Sequence, residues 1–473
     1  MSFAELAFLG AREQHRLLRD KRLSPVELVR GYLERIERLD GRLRAYIAVR
    51  AEAALAEARE AEAAGARGEW RGPLHGIPFA VKDQFDAAGM PTSAGSRILA
   101  GRVATADATV VARLRAAGGI LLGKLNLSEF ALGNTQEFPF GQPRNPWDTE
   151  RDPGGSSGGS GIAAAAALAS VTLGEDTGGS VRSPAGFNGV VGLRPTWGRV
   201  SRQGCVALSW SMDAPGPITR TVADCALLTG LIAGRDPADP LTSAAPVPDY
   251  GAGLTGDLAG VRVGIVRELV AGPETAAEVR EAVLAAAGVL ADAGAIVDEI
   301  SLPLLPLAGA VFMALADSEG AGAHLSWLRA RPGDYDRGTR RRLLTAGLLP
   351  AAVYHQALRG RALIRAQLRA ALARVDLLLS PTAPRVAARI ADMRAPIASA
   401  ADAGARFFTR RSYTTPASLA GIPALSVPCG FSGDGMPIGL HLAARAFEEG
   451  LLLRAAHAFE QATDWHRRRP PVD

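Results

Sequence analysis

Two glycine- and serine-rich clusters, Gly154-Gly155-Ser156-Ser157-Gly158-Gly159-Ser160 and Asp176-Thr177-Gly178-Gly179-Ser180-Val181-Arg182, carry the residue types that a reactive loop needs. Glycine lets backbone N–H groups come close to a substrate, and serine supplies a hydroxyl that can become a nucleophile. A flexible tether does not fit what lies between them. Ile162 to Ala169 is an apolar, mostly alanine run with a preference for helix, and a linker has no use for it.

A serine hydroxyl is a poor nucleophile at neutral pH, so some base must take its proton. Histidine is the common choice, and Gly154-x-Ser156-x-Gly158 has the spacing of a nucleophile elbow. An elbow needs a strand before it, and Arg151-Asp152-Pro153 does not read as one. None of the seven histidines sits in a distinctive loop or at metal-ligand spacing, so neither a histidine base nor a bound metal is expected. Gly118 to Leu125 matches a phosphate-binding loop through Gly123-Lys124, but places Leu125 where a hydroxyl must hold magnesium. A lysine remains. It can accept a proton only as the neutral amine, a form that burial favours. Lys82, at the end of the apolar run Gly76-Ile77-Pro78-Phe79-Ala80-Val81, is the lysine best placed for that.

The elements that must hold these residues alternate. Short buried strands are predicted at 76–81, delivering Lys82 and Asp83, and at 120–122, 261–266, 296–300 and 377–379. Helices are predicted from Ser24, with Pro25 at the first position and Glu27 closing a capping box, and over 51–64, 108–117, 275–293, 351–373 and 448–462. Residues 424–428 and 438–442 read as a hairpin-like pair. This alternation predicts an α/β fold, with a large twisted, mixed but mostly parallel sheet covered by helices on both faces.

Hydrophobic residues at 48% and charged residues at 21% are ordinary for a globular chain. The formal charge of +5 is spread along the sequence, which predicts no nucleic-acid partner. Cys205, Cys225 and Cys429 are too few and too far apart for a disulfide framework. No apolar run is long enough to span a bilayer, and the first residues lack the pattern of a signal peptide, so a cytoplasmic protein off the membrane is expected.

Together, Gly76 to Asp83, Gly154 to Ser160 and Asp176 to Ala185 resemble the motifs of the amidase signature family. Lys82 precedes Ser156 by 74 residues, and Ser156 precedes Ser180 by 24, in agreement with that family. The likeness extends through Gly189 to Thr196, Gly216 to Arg220 and Leu419 to Ala424, and covers roughly residues 70–235 and 405–465. It implies a single amidase domain over 1–473, with N-terminal helices at 1–67, a catalytic core at 70–235, a variable insert at 236–404 and C-terminal core strands and helix at 405–473. It also implies Ser180 as acyl-accepting nucleophile, Ser156 as bridging serine after a cis Gly155-Ser156 bond, and Lys82 as base. The backbone N–H groups of Thr177, Gly178, Gly179 and Ser180 match the oxyanion hole, while Gly155, Ser157, Asp176 and Arg182 fit as residues that hold the loop. No cofactor is implied.

The motifs leave the substrate open. Asn134, Gln136, Phe138, Trp327 and Arg411 are candidates for the substrate pocket. The nearest general likeness is to the glutaminase (A) subunit of tRNA-dependent amidotransferases, which must recognise an α-ammonium group. By that resemblance an acidic residue belongs five positions before Pro416, where this chain has Arg411, and a tyrosine belongs in the middle insert, where it has Trp327. An arginine repels an ammonium group. The preferred expectation is therefore a hydrolase of C–N bonds in small amides, with aryl amides and carbamates (urethanes) among them. It would proceed through an acyl-enzyme in a monomer or homodimer whose only partner is that substrate. The alternative is the glutaminase subunit.

Overall fold

Eleven short runs of β-forming residues pair into one sheet in a computed structural model that describes residues 2–133 and 135–472. In chain order they are β1 (Tyr46–Val49), β2 (Pro78–Lys82), β3 (Ile120–Leu125), β4 (Val171–Glu175), β5 (Val191–Arg194), β6 (Pro215–Thr219), β7 (Arg262–Val266), β8 (Ile296–Ile300), β9 (Leu377–Pro381), β10 (Ala424–Phe431) and β11 (Pro437–Ala444). Their order across the sheet is β1-β3-β2-β4-β6-β5-β10-β11-β9-β7-β8.

The expected α/β fold on a mixed sheet is present, but parallel pairing does not dominate it. Among the described residues four neighbouring pairs are parallel, β2 with β3, β2 with β4, β7 with β8 and β7 with β9. The other six are antiparallel. Helical crossovers, which parallel neighbours require, occur only towards the two sides. Through the middle, from β4 to β9, every pair is antiparallel. The β10–β11 hairpin, closed by a short turn before Pro437, is what the sequence showed of this region.

Local chemistry explains the flanking helices. Pro25–Leu43 starts where the Ser24 hydroxyl accepts the N–H groups of Val26 and Glu27, and Glu27 closes the capping box. The helix buries Leu28, Val29, Tyr32, Ile36 and Leu39. Residues 236–404, expected as an insert, supply β7, β8 and β9 to the common sheet. They also hold the helix Ala308–Ala330, whose weak apolar periodicity gave no signal in the sequence.

For the site, the decisive feature is the parallel pairing of β2 with β4, in which Val81 lies opposite Leu173. Both strands are buried along their whole length. Their carboxyl ends therefore place Lys82 beside Glu175 and the loop that follows it.

Candidate active site

The Lys82 side chain is fully buried. Its ammonium nitrogen donates to Ser156 Oγ at 2.9 Å, to the Glu175 carbonyl at 3.2 Å and to Glu175 Oε2 at 3.2 Å. Ser156 follows a cis peptide bond from Gly155, and its carbonyl accepts the Ser128 N–H at 3.1 Å. The Ser157 N–H donates to the Ser180 carbonyl at 3.3 Å, which ties the first loop to the second. The Ser157 hydroxyl donates to the Glu175 carbonyl at 3.2 Å. Thus three residues far apart in sequence, Lys82, Ser156 and Ser180, converge at the ends of β2 and β4.

Asp176 organises the second loop. Its carboxylate accepts the N–H groups of Gly179 at 2.8 Å and Val181 at 3.1 Å, and takes two hydrogen bonds from the Arg182 guanidinium at 3.1 and 2.9 Å. Burial alone would raise this carboxyl, but the Arg182 and Arg194 guanidiniums overcome it and hold Asp176 well below the usual carboxylate range. Arg182 also donates to the Thr414 carbonyl at 2.7 Å and meets His441 Nε2 at 2.9 Å. Burial and then Arg182 push His441 far below its ordinary value, so the ring is neutral. Of the four backbone N–H groups expected at an oxyanion hole, that of Gly179 is thus taken by Asp176. Among the described residues none accepts from Thr177, Gly178 or Ser180 N–H.

Two acids missed by the sequence reading stand behind Lys82. Glu175 Oε1 accepts the Thr177 hydroxyl at 3.0 Å, and the same hydroxyl oxygen lies 2.8 Å from Asp213 Oδ1. Asp213 Oδ2 accepts the N–H groups of Leu208 and Ser209 at 2.8 and 3.0 Å. Burial first, and then the neighbouring Glu175 charge, push the Asp213 carboxyl up to about 8, so it keeps its proton at neutral pH. One hydroxyl carries one proton. Protonated Asp213 therefore donates to Thr177, which donates to Glu175. Glu175 had a signal, an acid ending an apolar strand next to the motif; Asp213, between Met212 and Ala214, had none.

A cavity of about 150 Å³ opens over this arrangement. Thr177, Gly178, Gly179 and Ser180 line it, together with Gln136, Phe138, Phe312, Arg342, Arg410, Arg411 and Thr414. Trp327 does not reach it. Its ring stacks on Phe130 at 5.8 Å and joins an aromatic cluster with His324, so the expected pocket residue is a packing residue. Asn134 lies outside the described residues.

An amidase family model matches residues 27–453. The chain is 44% identical to the glutamyl-tRNA(Gln) amidotransferase A-subunit of Moorella thermoacetica, covering 99% of each sequence. Among solved structures it is similar to peptide amidase from Stenotrophomonas maltophilia (TM-score 0.85, 35% identity, 98% of each chain). It is also similar to the glutamyl-tRNA(Gln) amidotransferase A-subunit from Thermotoga maritima (TM-score 0.83, 34% identity, 98% of each chain). The chain belongs to the amidase signature family. It is an amide-cleaving enzyme.

These relatives correct the expected partners. Proteins matched from end to end are named as subunits and for a tRNA, which overturns the expectation of a small molecule as sole partner with no nucleic acid involved. Net charge speaks only to direct contact by this chain, and a subunit can serve a nucleic-acid reaction through its neighbours. The same names weigh towards the glutaminase-subunit alternative. Among the described residues no helix is long and apolar enough to cross a membrane.

Proposed function

We propose that this enzyme cleaves a C–N amide bond with Ser180 as the nucleophile, Ser156 as the bridging hydroxyl and Lys82 as the base. The observation that carries the reading is the 2.9 Å hydrogen bond between Lys82 Nζ and Ser156 Oγ inside a fully buried site. A proton shared by Lys82 and Glu175 has two arrangements, ammonium with carboxylate or amine with carboxylic acid. In the second, Lys82 can take the Ser156 proton while Ser156 takes that of Ser180, and Ser180 attacks the carbonyl carbon. The unengaged N–H groups of Thr177, Gly178 and Ser180 suit the charge that develops on the carbonyl oxygen. Ser156 returns its proton to the departing nitrogen and recovers one from Lys82, which is again the neutral amine. Water then enters by the same relay and frees the acid and Ser180.

Two substrate readings follow. The glutaminase subunit of a tRNA-dependent amidotransferase is favoured by relatives of that name at 44% identity over 99% of both sequences. A hydrolase of other amides, aryl amides or carbamates is favoured by Arg411, a cation on the cavity wall where a free α-ammonium group would be repelled. A cytoplasmic location accords with either. The chain alone is assayed with an anilide, a urethane and glutamine, and then with glutamine beside a candidate partner subunit. Glutamine turnover that appears only in the pair selects the first reading; turnover of another amide by the chain alone selects the second. In either case Ser180→Ala abolishes turnover, and a variant that retains it refutes the assigned nucleophile.

A further inference from the structure

Arginines crowd the cavity wall, and they differ in how they are held. Arg342 gives two hydrogen bonds to the Asp317 carboxylate, at 2.9 and 2.5 Å. Arg394 holds the Gln136 carbonyl at 3.2 Å and the Gln142 side-chain oxygen at 2.8 Å. Arg410 is exposed, so solvent can meet its charge. Arg411 is different. Its one hydrogen bond runs from Nη1 to the Phe407 carbonyl at 2.8 Å, and no carboxylate of the described residues lies within ion-pair distance of it.

A guanidinium has five N–H donors in a planar fork, so most of those on Arg411 have no acceptor among the described residues. Burial, with Arg342 and Arg410 adding repulsion, pushes the Arg411 guanidinium down to about 9, which leaves it charged at neutral pH. A half-buried cation with no carboxylate partner is an unfavourable arrangement that an anion in the cavity would relieve. Arg411 shares that cavity with Ser180, Thr177 and Gly178, so the counter-charge and the scissile amide would belong to one small molecule.

We propose that the substrate is an amide bearing a carboxylate, and that Arg411 determines specificity by pairing with that carboxylate while Ser180 meets the amide carbonyl. This rests on the amidase reading above and adds the substrate's charge. The carboxylate can sit on the acyl side, as in the mono-amide of a dicarboxylic acid, or on the amine side, as in an N-acyl amino acid.

The test is a binding measurement that needs no turnover. Ser180→Ala protein is titrated calorimetrically with succinamate, N-acetyl-β-alanine, butyramide and glutamine. One of the two acid amides should bind about tenfold or more tightly than butyramide, the size expected of a charge-assisted contact, and whichever it is names the side. Glutamine, with its added ammonium group, should bind more weakly than the preferred acid. In a Ser180→Ala, Arg411→Met protein the preference over butyramide should vanish. The proposal is overturned if the acid amides bind no better than butyramide, or if the preference survives Arg411→Met; the first comparison stands even should the second variant fold poorly. Turnover of an anilide by the unmodified enzyme reports separately on the catalytic assignment, so the two can fail independently.

Discussion

A buried lysine between a hydroxyl and a carboxylate is the centre of this site, and two acids stand behind it. Asp213 is pushed above its ordinary value of 3.8 to about 8, mainly by burial and then by Glu175. The folded chain therefore holds a proton that the unfolded chain releases. The resulting stabilisation is complete below pH 3.8 and is lost as pH rises through about 8. Asp213→Asn cannot ionise, and its amide can still donate to Thr177 and accept from Leu208 and Ser209. Its melting temperature should rise relative to that of the unsubstituted chain as pH goes from weakly acidic to alkaline in thermal unfolding scans. Parallel pH profiles for the two proteins would show that Asp213 does not titrate in this way. At this scale the sequence was legible where chemistry is local: Lys82, Ser156 and Ser180 stand in long motifs with fixed neighbours. Asp213 reaches Glu175 only through Thr177 in the folded chain, and Trp327 was misplaced because an aromatic residue in a helix looks the same whether it lines a pocket or packs on Phe130.

The loop between β4 and the helix Arg182–Asn188 works through backbone shape. Gly179 has φ of +123°, and a Cβ there would meet Thr414 Oγ1 at 2.3 Å. That hydroxyl donates to the Gly178 carbonyl at 2.7 Å, so it cannot move away without releasing the loop. Gly179→Ala should therefore destabilise the protein by about 1–3 kcal/mol from overpacking, with positive φ adding to it, and should lower kcat more than it raises KM. Chemical denaturation and steady-state kinetics on the same preparation check both effects; an unchanged midpoint would contradict the close approach. Strands and helices with strong local signals, such as β2 and the capped helix from Pro25, were readable to within a few residues. The pairing sense of the central strands was not, because β5 meets β10 across more than two hundred residues of sequence and no local pattern encodes that partner.

Across the whole molecule the sheet joins segments from both ends of the chain, and the site lies where β2 and β4 finish side by side. A docking surface for a neighbouring protein, unlike a strand or a helix, has no period in the sequence. The names of full-length relatives supply the correction that charge could not. Catalysis by this site turns on where the acyl group attaches and what makes it attach. Intact-mass and peptide-mapping spectrometry, after brief mixing with a slowly hydrolysed anilide, should find one acyl adduct on Ser180 and none in Lys82→Ala protein. An adduct on Ser156 instead, or equal acylation without the lysine, would contradict it.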